Sequence, residues 1–131
     1  MKKRCWLLLL VSPYCHAFSL FHCTGTDSAK SAYTVTATLN DENQFDGGIF
    51  VRVLDINGYQ YDNALLPKTA NITLGQSVLV NGPFDGGQMA MSLAFQTPTN
   101  TYTGTMNSWG NSGQIIDIAI SCTITTKTAV F

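Results

Sequence analysis

Ile116-Asp117-Ile118-Ala119-Ile120-Ser121-Cys122-Thr123-Ile124-Thr125 alternates apolar with small or polar residues at every step. Side chains along a β-strand point to opposite faces in turn, so a period of two describes a strand with one buried face. The same period runs outward from this stretch. Tyr33, Val35, Ala37 and Leu39 alternate with Thr34, Thr36 and Thr38. Met89, Met91, Leu93 and Phe95 alternate with Gln88, Ala90, Ser92, Ala94 and Gln96. No segment carries apolar residues three and four apart over a useful length, as an amphipathic helix would require. Turn-forming residues punctuate the pattern at Asp27-Ser28, Asn57-Gly58, Leu66-Pro67, Leu74-Gly75, Asn81-Gly82-Pro83, Thr97-Pro98 and Trp109-Gly110.

The spacing predicts strands near 19–25, 32–40, 48–56, 58–63, 69–74, 76–81, 87–96, 100–108 and 114–126. Short strands at near-regular intervals imply an all-β domain. The expected form is a single antiparallel β-sandwich of about 7–9 short strands, with a small closed β-barrel as the alternative.

The first residues carry a different signal. Lys2-Lys3-Arg4 precedes the apolar run Cys5 to Val11, which Ser12-Pro13 ends. That is the pattern of a secretory signal peptide, and it is too short to span a bilayer. Cleavage is expected after Ala17, giving a signal peptide over 1–17 and one all-β domain over 18–131. Of the seven Lys and Arg residues in the chain, three leave with the signal. Four then face eight acids, a net charge of −4. The absence of a basic patch argues against nucleic acid and anionic membrane surfaces as partners. No run of about 18 apolar residues exists to form a transmembrane helix. The expected location is secreted or periplasmic.

Cys5 and Cys15 also leave with the signal, and Cys23 and Cys122 remain. Two cysteines in an exported chain are expected to pair. Both lie on apolar faces, Cys23 with Phe21 and Cys122 with Ile118 and Ile120. A bond between them would tie the first strand to the last inside the core.

The tetrapeptide Phe-Asp-Gly-Gly occurs at 45–48 and again at 84–87. Asp-Gly favours hairpin turns because type I′ turns need positive φ at both central residues. An alternating strand follows each copy, so both are read as hairpin turns, with internal duplication as the second reading. A calcium site is disfavoured, since neither copy has the spacing of a calcium loop.

Chemistry-bearing residues are few. After the signal the chain has one histidine, His22, and one glutamate, Glu42. No nucleophile motif, zinc spacing or phosphate loop accompanies them. The expectation is therefore no catalytic residues, no metal and no cofactor. Tyr59 and Tyr61 beside Asn57-Gly58, and Tyr102 and Trp109 around the stretch MNSWGNSG, are the candidate ligand-binding residues. Their rings combine a flat apolar body with a polar tip, which suits sugar or protein contact. The function expected is an exported, non-catalytic binding or structural module contacting glycan or an envelope protein through its end loops. A surface-appendage or adhesin subunit, a secreted enzyme inhibitor and a small outer-membrane barrel are the alternatives.

Overall fold

The computed structural model describes residues 15–111 and 115–130. The run of residues 1–14 read as most of the signal peptide, and Ser112 to Gln114 of the Trp109 loop, lie outside the described residues. Nine strands follow one another: β1 Cys15–Thr26, β2 Ala32–Leu39, β3 Ile49–Leu54, β4 Gln60–Leu65, β5 Thr69–Thr73, β6 Ser77–Phe84, β7 Gly87–Gln96, β8 Thr101–Trp109 and β9 Asp117–Val130. Every paired neighbour is antiparallel. The class expected from the alternation is the class observed.

These strands form one sheet, ordered β4-β3-β2-β1-β9-β8-β7-β6-β5. The first and last strands are therefore central neighbours, and the two edges are β4 and β5, which are consecutive in the chain. The residues joining them stay beside β6: the Leu66 N–H donates to Pro83 O at 3.1 Å and the Lys68 N–H to Asn81 O at 2.8 Å. The sheet thus curls until its edges meet through a bent segment at Pro67. The arrangement is barrel-like, one curled sheet rather than two facing ones. Alternation alone could not separate these forms, because both bury every second residue.

One face of every strand but β5 lines the interior, and β5 contributes only half-buried Ile72. Phe21, Cys23, Tyr33, Val35, Ile49, Val51, Val78, Val80, Phe84, Met89, Met91, Met106, Ile118 and Ile120 are all buried there. The outer face is largely polar, with exposed Thr36, Arg52, Asp62, Ser92, Ser121 and Thr123. Arg52 spans this surface: its Nε lies 3.0 Å from Asp62 Oδ1 and its guanidinium 5.5 Å from the Phe50 ring centre. The Arg52 hydrogen bond holds the Asp62 carboxyl below the usual carboxylate range.

Cys23 and Cys122 lie directly opposite in the β1–β9 ladder, with Cα atoms 4.0 Å apart, and form the expected disulfide. So short a separation marks a non-hydrogen-bonded antiparallel pair, where side chains approach most closely. β1 also extends back through Cys15, His16 and Ala17, which pair with Val130, Ala129 and Thr128. Cleavage after Ala17 would leave β1 beginning at Phe18, still opposite Lys127.

The repeated local element is a turn of another kind than the one the tetrapeptide suggests. Asp27, Asn40 and Asp55 each begin a five-residue turn. In each, one side-chain oxygen accepts the backbone N–H groups two and four residues on. Asp27 Oδ1 accepts from Ala29 and Ser31, both at 2.9 Å. Asn40 Oδ1 accepts from Glu42 at 2.9 Å and Gln44 at 3.0 Å. Asp55 Oδ1 accepts from Asn57 at 2.9 Å and Tyr59 at 2.8 Å. The fourth residue of each turn, Lys30, Asn43 or Gly58, has positive φ. Asp and Asn favour such positions because their short side chains satisfy the turn's own donors.

The two Phe-Asp-Gly-Gly copies adopt different structures. In the second, Phe84 pairs with Gly87 across Asp85 (φ 49°) and Gly86 (φ 76°), the two-residue hairpin turn expected. In the first, Phe45 bridges Leu39 and the Asp46 N–H donates to Thr38 O at 2.8 Å. Only Gly47 has positive φ there, and the copy closes a longer loop between β2 and β3. The shared tetrapeptide carries no shared conformation.

Asp27 also accepts the Tyr33 hydroxyl at 2.9 Å. Partial desolvation pushes its carboxyl up, but bonds from Ser31, Tyr33 and Ala29 together outweigh this and hold it below the usual carboxylate value. A depressed folded-state value means the carboxylate stabilises the fold at neutral pH. That contribution is lost as pH falls below about 4, the unfolded aspartate value, and through the folded one. Asp27→Asn is therefore expected to flatten the acid limb of the melting temperature against pH below about pH 4. Asp27→Ala is expected to cost about 1–2 kcal/mol at pH 7, the usual effect of removing a group that satisfies backbone donors. Thermal melts across pH check both.

Candidate functional site

Alternating strand directions decide which loops share an end. β1, β3 and β8 run in one direction, opposite to β2, β4, β7 and β9. The turns 27–31, 55–59 and 85–86, with Gly110, Asn111, Ile115 and Ile116, therefore lie at one end. The turns at 40–48, 74–76 and 97–100 gather at the other.

Three of the four aromatic candidates reach the first end. Tyr59, 69% exposed, closes the Asp55 turn, and Trp109, 49% exposed, ends β8. Tyr61 lies two residues into β4, half-buried against the core, and its hydroxyl donates to Asp85 of the second Phe-Asp-Gly-Gly turn. That bond joins β4 to the β6–β7 turn, so Tyr61 has a structural task as well as a partly open ring.

Tyr102 is not brought to this group. It begins β8 at the opposite end, is only 4% exposed, and its hydroxyl accepts the Gly75 N–H at 2.8 Å. Its ring packs on Phe95 with centres 4.9 Å apart. The alternation of Tyr102 with inward Met106 held this signal, since both sit on the same face of β8. The residue's nearness to a polar loop hid it.

Sequence reasoning missed two members of the first end. Ile56 and Ile115 are 71% and 68% exposed there. Nothing in the alternation marks an apolar residue in a turn as outward-facing, because turn residues follow no strand period. Asn111 anchors the same region, its Nδ2 donating to Phe84 O at 2.8 Å. Buried Ser108 secures the returning chain, accepting the Ile116 N–H at 2.7 Å on its Oγ.

His22 lies apart, exposed on the outer face between cross-strand neighbours Thr36 and Thr123. A shallow groove there is also lined by Leu20, Asp46 and Lys127. Among the described residues, no three His, Cys, Asp or Glu side chains are placed to hold a metal ion. No helix among them is long and apolar enough to cross a membrane. The geometry at the first end thus offers exposed apolar and aromatic surface for contact. Comparison with known protein families, with curated proteins and with solved structures returned no match to this chain.

Proposed function

We propose that this chain is an exported, non-catalytic binding module that contacts glycan or an envelope protein through the end bearing Tyr59 and Trp109. One observation carries the reading: Ile56, Tyr59, Trp109 and Ile115 are all largely exposed at a single end of the curled sheet. Single exposed apolar residues are ordinary on soluble proteins; we read these four, on the β3–β4 turn and beside the β8–β9 connection, as contact residues of one end. Export is supported by the disulfide, which persists in oxidising compartments.

An outer-membrane barrel fits less well, because such barrels are apolar outside and polar within. Here the interior is apolar and the outer face carries Arg52, Asp62 and threonines. A strand-exchanging appendage subunit also fits less well. The segment that such a subunit would donate, Phe18 to Phe21, is already paired with β9 along its whole length and with β2 from Ser19 onward.

The double variant Tyr59→Ala/Trp109→Ala is expected to lose at least tenfold in affinity for whatever a glycan array or envelope-protein capture identifies. Removing aromatic anchors at a contact centre costs 2 kcal/mol or more in typical interfaces. Both residues are exposed, so the fold is expected to persist with an unchanged melting temperature. Unchanged affinity in the double variant would remove the assignment.

A further inference from the structure

The curled sheet is closed along only part of its seam. From Lys68 to Leu66 the chain hydrogen-bonds to β6, at Asn81 and Pro83. Continued upward, this ladder would next engage the Ala64 N–H. That donor instead bonds the Asn63 side chain, Oδ1, at 2.9 Å. Alternate residues of a strand direct their backbone groups to the same edge, so Asp62 and Gln60 face the seam with Ala64. On that edge β4 has no paired strand. The seam therefore opens above Leu66 into a cleft lined by Asn63, Ala64, Pro83, Phe84, Asp85 and Gly87. The depression is shallow and open to solvent, the form of a strand edge rather than of an enclosed pocket. The Tyr61–Asp85 hydrogen bond crosses it.

We infer that this cleft is a recognition site for an extended peptide, which adds to the free edge of β4 as a strand. A row of backbone donors and acceptors at strand spacing is matched by another extended backbone and by little else. Pro83, which lacks an N–H, stands on the opposite wall, so the β4 wall supplies the hydrogen bonds. Asn63 acts as a removable cap, holding the Ala64 N–H until a peptide carbonyl takes its place. The site is distinct from the loop tips carrying Tyr59 and Trp109.

The probe is a phage-displayed library of random linear dodecapeptides, selected on the immobilised protein. Selected peptides are expected to lack proline at alternate positions, where their own N–H groups face β4. Ala64→Pro is expected to weaken a selected peptide at least tenfold, and Asn63→Ala, which frees the Ala64 donor, to tighten it several-fold. Tyr59→Ala/Trp109→Ala is expected to leave this affinity unchanged, which separates failure here from failure of the end-loop proposal. In the unmutated protein, the bound peptide is expected to slow amide exchange at Asp62 and Ala64 and to leave that at Ala29 unaltered. Failure to select a peptide, binding that survives Ala64→Pro, or exchange at Asp62 and Ala64 unmoved by the peptide would each overturn the site.

Discussion

Replacing Cys23 and Cys122 together by alanine is expected to lower the free energy of unfolding by about 2–5 kcal/mol. The bond closes a loop with a sequence separation of 99 residues. Cross-linking so long a loop removes much of the unfolded chain's freedom, about 4.7 kcal/mol in the chain-entropy model. Against a total stability of about 5–15 kcal/mol for an ordinary domain, that is a large share. Position adds to the effect. β1 and β9 are the pair that joins the two ends of the chain, and their ladder runs from Cys15↔Val130 to Gly25↔Ile120. Both sulfurs are buried between Phe21 and Ile120, where alanine leaves a small void. Guanidinium unfolding of the oxidised protein and the double variant checks this. A loss below about 1 kcal/mol would show that the β1–β9 ladder holds the ends without help from the bond.

Gly82→Ala is expected to cost about 3 kcal/mol, at the upper end of the overpacking range. A Cβ placed on Gly82 would lie 1.9 Å from Leu66 O and 2.9 Å from Lys68 N. Both are backbone atoms of the segment that carries the chain from β4 to β5, so no side chain can rotate away. The lower seam must part, and the bonds from Leu66 to Pro83 and from Lys68 to Asn81 go with it. Gly48→Ala is the matched control. Its added Cβ would meet the Leu66 side chain at 3.5 Å, an ordinary contact, so a change within about 0.5 kcal/mol is expected. Equal effects at both positions would show that the seam is not where the sheet closes.

Most strands were legible because one face is buried; β5, exposed except for half-buried Ile72, was marked by the turn residues on either side of it. Val35, Met91 and Ile120 alternate with residues that water tolerates, and this period of two placed the other strands in order. The errors fall where a backbone feature has two uses. Asn81-Gly82-Pro83 reads as a turn, yet it lies inside β6, which runs on to Phe84. There glycine admits the crossing Leu66 carbonyl, and proline sits where β6 needs no donor toward the seam. The actual turn is Asp85-Gly86, three residues later. Leu66-Pro67 also reads as a reversal, but the chain bends there and exchanges β3 for β6 as its partner. Whether a run of alternating strands forms one curled sheet or two stacked ones depends on those partner exchanges, and side-chain period does not report them. The candidate site divided on the same principle. Tyr59 and Trp109 lie at strand ends and face water, while Tyr102, inside the alternation of β8, belongs to the core. Ile56 and Ile115 left no mark in the sequence, because exposure in a turn is set by the turn's geometry.

The central claim is that β1 and β9 are paired neighbours at the centre of one curled sheet, whose two edges meet instead at the seam beside β6. Proton NMR of the oxidised protein tests this directly. Residues of non-hydrogen-bonded antiparallel pairs bring their Hα atoms close together. The expected result is Hα–Hα cross-peaks between Phe21 and Ile124, Cys23 and Cys122, and Gly25 and Ile120, which share one register. Absence of these cross-peaks, with β1 instead showing such contacts to a strand other than β2 or β9, would contradict the fold and every inference built on it.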